Sequence, residues 1–278
     1  MRTLPLALLL LSATAAPAWA QRASLPTRTA AAGPIQDNSF LIEEAYNQEP
    51  GVVQHIGFFQ DDLRAGWFAS FSQEWPLGSL KHQISYTIPA SGGAGTPTGL
   101  GDVALNYRYQ LVGDGDARLA VAPRLSVLFP TGNEERGQGT GALGVQMNLP
   151  VSLVLAPKWV AHTNAGFTYA GAPDGEDDDE ESEGTNGLNA GQSVVWLARP
   201  DVNLLLEAVW TRMRAPNGDE DTFFLSPGVR MAVDFPGGLQ VVPGMAVPLG
   251  VGPSGGDRAV LLYLSLEHPF SRRGREGS

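Results

Sequence analysis

The sequence predicts an all-β protein, an antiparallel transmembrane β-barrel of about 12 strands with a short N-terminal periplasmic segment. Three observations carry this prediction. The closing stretch from Asp257 to Phe270 alternates at period two, with Val260, Leu262, Leu264, Leu266 and Phe270 on one face and Ala259, Leu261, Tyr263, Ser265 and Glu267 on the other. Eleven more alternating segments precede it, and alternating units of about ten residues are what such barrels are made from. Tight connections also alternate with longer ones, as short periplasmic turns and outer loops do.

Residues 1–20 carry a basic start at Arg2, a short apolar run from Leu6 to Leu11 and small residues at Ala18 and Ala20. A secretory signal peptide cleaved after Ala20 is expected, and that run is too short to be a membrane span. Residues 21–50 read as a periplasmic tether, rich in Ala, Thr and Pro up to Pro34. Within it, Asp37 to Glu49 predicts a short helix capped at Asn38 or Ser39, with Glu43 and Glu44 near the positive end of its dipole. A helix across the barrel mouth is the simpler expectation, and a plug or gate is the alternative.

Residues 51–270 form the expected barrel, followed by a tail over 271–278. Strands are predicted over 52–60, 66–75, 79–89, 99–112, 117–129, 139–155, 158–170, 187–199, 202–214, 222–235, 239–249 and 258–270. The tight connections, such as Gly113-Asp-Gly-Asp116 and Pro236-Gly-Gly238, are built from Gly, Pro and Asp, as turn geometry demands. The longer ones are 61–65, 90–98, 130–138, 171–186, 215–221 and 250–257, which puts both chain ends on the periplasmic side. Leu143, Val145, Met147, Leu149, Val151 and Leu153 oppose Gln146, Asn148 and Ser152; Leu105, Tyr107 and Tyr109 oppose Asn106, Arg108 and Gln110. An Arg on the lipid face at mid-depth costs on the order of 2 to 4 kcal/mol, so the polar sets must face inward. Trp67, Trp75, Phe129, Trp159, Tyr169, Trp210 and Phe235, near strand ends, are placed as interface girdles.

That register lines the lumen with Glu74, Lys81, Asp102, Asn106, Arg108, Arg118, Arg124, Gln146, Lys158, His162, Glu207, Arg230, Asp234 and Glu267, alongside Gln83, Asn148 and Asn164. Their nearly balanced charges predict a hydrogen-bonded network, a solute path flanked by Arg108, Arg118 and Arg124, or both. About twelve strands lies between barrels filled by side chains and those with open channels, so diameter alone does not decide.

With no cysteine, disulfides, thiolate metal sites and a cysteine nucleophile are excluded. The net charge of -11 argues against nucleic acid as a partner. Much of that acidity sits in one run from Asp174 to Glu183, where Asp174, Glu176, Asp177, Asp178 and Asp179 make a weak divalent-metal candidate without the spacing of an EF-hand. A solvated outer loop is the simpler reading, and no cofactor is expected. The histidines belong to no Gly-x-Ser-x-Gly or His-Glu-x-x-His pattern, so an outer-membrane hydrolase rests on the inward His162 alone.

Thr98-Gly-Leu-Gly-Asp-Val-Ala-Leu-Asn-Tyr-Arg-Tyr109, the strand ending Phe129-Pro-Thr-Gly132, the Gly139-Thr-Gly-x-x-Gly144 run and the closing aromatic strand together resemble a family of outer-membrane transporters. That family is named after the meta-cleavage pathway of phenol degradation. The resemblance implies an outer-membrane barrel that passes small molecules, often aromatic or apolar; a monomer among outer-membrane lipids, passive and without catalysis, is the expectation for this chain. The resemblance implies no binding residues. A structural or surface-display barrel with a filled lumen is the alternative.

Overall fold

The computed structural model describes residues 37–93, 95–113, 117–171, 184–215 and 218–270. The expected signal peptide, most of the tether, the acidic run at 174–183 and the tail lie outside the described residues. The strand segments are β1 (Val52–Asp62), β2 (Gly66–Pro76), β3 (His82–Gly93), β4 (Thr96–Leu100), β5 (Val103–Tyr109), β6 (Leu119–Val121), β7 (Arg124–Phe129) and β8 (Gly144–Ala156). They continue with β9 (Trp159–Ala170), β10 (Thr185–Arg199), β11 (Val202–Ala215), β12 (Gly218–Met231), β13 (Val233–Asp234), β14 (Gln240–Ala246), β15 (Leu249–Gly250) and β16 (Ala259–Pro269).

These segments make twelve antiparallel staves, because β4 with β5, β6 with β7, β12 with β13 and β14 with β15 are each one stave interrupted once. Pro123 and Pro248 cause two of the interruptions, having no N–H to give a ladder. The ring closes where β1 pairs with β16, from Val52 opposite Pro269 to Asp62 opposite Ala259. The seam between β12 and its neighbours β14 and β15 is interrupted, with three and two register pairs.

The pleat sorts side chains as the alternation requires. Leu125, Met147, Leu149, Leu262 and Leu264 stand exposed on the outer skin, while Arg108, Arg124, Ser126, Gln146, Asn148 and Ser265 are buried inside. Rings gather near both rims of that apolar band: Trp159 stacks on Trp196 and Phe59 on Trp67, both at 6.1 Å. No helix of the described residues is long and apolar enough to cross a membrane.

Several expected connections are shorter than the sequence suggests. The links at 61–65, 90–98 and 215–221 nearly vanish, because β1 and β2, β3 and β4, and β11 and β12 stay paired almost to their hairpin tips. Polar or small residues predominate there, so no apolar period marks the pairing. At β11 and β12 it is reinforced by Arg212, whose Nε and Nη2 donate to Asp221 at 2.8 and 2.7 Å. In the other direction, 139–143 stays in a loop and 79–81 in a turn.

The Gly-rich motif forms a clasp where β5 begins and β7 ends. Asp102 Oδ1 accepts from the Gly132 amide at 3.0 Å, and Oδ2 accepts from the Thr140 amide and hydroxyl at 2.8 and 2.9 Å. Thr131 Oγ1 donates to the Gly101 carbonyl and accepts from Val103 N. Gly139 must lack a side chain, since a Cβ there would stand 2.5 Å from Asp102 Oδ1.

Candidate functional site

Asp37 to Glu49 forms no helix. The expected capping signals are overridden because the backbone groups that a helix would have paired are met by side chains of the barrel wall. Residues 37–48 lie inside the lumen, and none is more than 6% exposed.

The segment travels once around the inner wall. Asp37 Oδ1 accepts from Tyr263 Oη on β16 at 2.8 Å and from Gln54 Nε2 on β1 at 3.0 Å. Arg230 on β12 donates to the Asp37 and Asn38 carbonyls. Glu207 on β11 accepts the Leu41 and Ile42 amides at 2.8 and 3.0 Å. Asn164 on β9 takes the Glu43 amide at 2.7 Å and returns a bond to the Glu43 carbonyl at 2.9 Å. On β8, Ser152 Oγ accepts the Ala45 amide. Gln110, beyond the end of β5, accepts from Asn47 N and donates to the Ala45 carbonyl. Gln83 on β3 accepts from Gln48 N, and Gln48 Nε2 reaches Gln54, where the circuit began. A buried backbone must find partners somewhere, and here the wall's amides, hydroxyls and carboxylates do the work of a ladder.

Charge is settled in the same way. Arg124 Nη2 meets Glu43 Oε1 at 2.5 Å and its Nε donates to Oε2 at 3.1 Å, a bidentate pair with both side chains buried. Arg230 Nη2 and His162 Nε2 approach Glu44 Oε1 at 3.4 and 3.3 Å. Arg108 donates to Asn47 Oδ1 and to the Glu44 and Tyr46 carbonyls, and Gln83 Nε2 donates to Glu74 at 2.7 Å.

Two apolar knobs also fix the ring. The edge of the Phe40 ring rests on Gly228 of β12 and Gly244 of β14, where an added Cβ would lie 2.6 Å from Cε2 and from Cζ respectively. Tyr263 stands beside it at 5.3 Å, tilted by 49°. Ile42 likewise occupies the space that a Cβ on Gly191 of β10 would need. Phe40 thereby joins a cluster with Ile56, Phe58, Phe68, Leu261 and Tyr263. Glycine inside a strand often marks close approach by another part of the chain, and this was the sequence signal for Phe40 and Ile42 that the inward polar pattern masked.

Of the residues expected inward, Glu74, Asn106, Arg108, Arg124, Gln146, His162, Glu207 and Arg230 are buried in the lumen. Asp102 is buried in the clasp instead. Lys81, Arg118, Lys158 and Asp234 are exposed outside the buried network, and Glu267 is partly exposed close to the end of β16. The first four stand in or next to tight turns, where the alternation that assigned them inward stops applying. Arg118, for one, donates to the Val154 carbonyl at 3.0 Å rather than joining Arg108 and Arg124.

His162 lies between Ser152, at 2.8 Å from Nδ1, and Glu44. The order resembles a hydrolase triad. Ser152 Oγ, however, is fully buried and also accepts the Ala45 amide, so the three groups tie residues 44 and 45 to the wall. Among the described residues, no group of three or more His, Asp or Glu side chains is placed to hold a metal ion.

The family model described as "Putative MetA-pathway of phenol degradation" matches residues 45–244. The chain belongs to this family. Its match begins within the ring at Ala45 and ends on Gly244, and it takes in the clasp around Asp102. The COG4313 outer membrane channel from Pseudomonas putida F1 is similar in structure, with a TM-score of 0.58 at 14% identity, covering 81% of this chain and 98% of that one. The NanC porin aligns at a TM-score of 0.53 with 8% identity, over 78% and 100% of the two chains. At these identities the likeness is one of fold. No curated protein matches the sequence.

Proposed function

We propose that this phenol-degradation family member is a passive, non-enzymatic outer-membrane channel for small molecules, apolar and aromatic ones included, closed at rest by the ring of residues 37–48. The observation that carries the reading is how the ring is held: chiefly by side chains of the wall, with no backbone ladder, so it can leave without breaking a strand pair. Its similarity to an outer-membrane channel and a porin supports the same reading. The inward cluster of Phe58, Phe68, Leu261 and Tyr263 offers apolar solutes a surface that a purely polar pore lacks. In this reading the protein is an exported monomer surrounded by outer-membrane lipid, its tight turns are periplasmic, and the ring guards that end of the lumen.

Deleting Asp37 to Gln48 and measuring planar-bilayer conductance tests the proposal. The intact protein is expected to conduct weakly and the deleted form strongly and continuously. A second reading, a filled barrel that displays its outer loops, is favoured by the complete burial of Arg108, Arg124, Glu207 and Arg230. A deleted form that folds but stays silent at every voltage would put that reading first.

A further inference from the structure

The slot that receives Phe40 is the ring's most specific anchor. Gly228 and Gly244 are inward positions on neighbouring staves, and together they leave a flat recess just where the aromatic edge enters. Tyr263 and Leu261 flank it, and the same apolar cluster extends to Phe58 and Phe68, whose rings meet edge to face at 6.0 Å. Phe58 and Phe68 lie farther along their strands toward the outer rim than Gln54 and Glu74, which sit at the level of the ring. Phe58 pairs with Tyr263 and Tyr263 with Gly244, so an apolar patch lies beside the slot along the wall. The Phe40 side chain is itself a benzene ring on a short stem, and its seat depends on shape and apolar contact alone. Every other anchor named above, except Ile42, is a hydrogen bond or an ion pair that an apolar solute cannot replace.

We propose that the Phe40 slot is a binding site for a free single-ring apolar molecule, and that occupancy by such a solute expels Phe40 and releases the ring. Cargo and closure compete for one recess, so the solute opens its own path. The inference rests on the channel reading and deepens it by naming the trigger. A ligand shifts such an equilibrium only through its preference for one state, and the preference here is complete, since the slot is free only when Phe40 has left.

The absence of cysteine permits a direct test. Ser39 is buried and its hydroxyl donates to Ser193 Oγ at 2.6 Å, so Ser39→Cys places a thiol that a soluble maleimide reaches only after the ring moves. In detergent-solubilised Ser39→Cys protein, toluene is expected to speed labelling saturably by about tenfold, the response to a shift of one decade in the open population. Adding Phe40→Ala should give fast labelling without toluene and no further response. Cyclohexane, a thicker ring, should act more weakly. Retention of the compact, heat-modifiable form on gels confirms that each variant folds. Labelling that ignores toluene, or responds equally with Phe40→Ala, overturns the inference. If ring deletion conducts in that case, the channel reading survives; if ring deletion is also silent, both fall.

Discussion

A guanidinium can be buried only when its donors are met, and Arg124 is met by Glu43, Asn106, Ser126 and Gln146 together. Removing it leaves the Glu43 carboxylate in a dry lumen without its cation. Arg124→Met is therefore expected to destabilise the protein by about 3 to 5 kcal/mol, and the double change with Glu43→Leu should recover much of that loss. Equilibrium urea unfolding in detergent, run as a double-mutant cycle, measures both. At the glycines the sign for closure is the opposite of the usual stabilising effect of added bulk. Gly244→Ala pushes a methyl group into the Phe40 ring and should unseat it, raising resting conductance while costing about 1 to 3 kcal/mol of overpacking wherever the ring stays in place.

At the scale of elements, the clasp accounts for why Gly-x-Gly-Asp, Pro-Thr-Gly and Gly-Thr-Gly occur together in one sequence. Asp102 supplies two acceptor oxygens, and Gly132, Gly139 and Thr140 bring the returning loop close enough to use them. Asp102→Ala leaves the Gly132 and Thr140 donors without their acceptor, at a local cost of about 1 to 3 kcal/mol. The expected outcome is faster proteolytic nicking within 130–143 with the barrel intact, read by limited proteolysis. The staves themselves were legible in the sequence because a strand's period is local: Met147 and Asn148 announce their faces from adjacent positions. The ring was not legible, since Leu41 and Ile42 are held by Glu207 and Glu43 by Asn164, partners more than 100 residues away. Local capping preferences at Asn38 and Ser39 pointed to a helix that those distant bonds replace.

Across the whole molecule, large apolar side chains stand exposed on the outer skin and the lumen is filled by the chain itself. This inverts the usual sorting, and exchanging the two faces tests it. Leu264→Arg, on the outer skin, should cost on the order of 2 to 4 kcal/mol in lipid, whereas at exposed Arg118, on the rim, loss of the charge as Arg118→Leu should change stability by less than about 0.5 kcal/mol. Unfolding titrations in lipid vesicles compare the two. Burial of lumen groups from all sides follows from closure of the ring between β1 and β16, which no single strand encodes.

By itself the sequence determined the number of staves, their faces and the polarity of the interior, because each follows from residues one or two positions apart. Only the tertiary structure decided that the interior is occupied. Occupancy depends on Phe40 meeting Gly228 and Gly244, and on one irregular segment finding side-chain partners around nearly the whole wall, and such contacts exist only after the sheet has closed on itself.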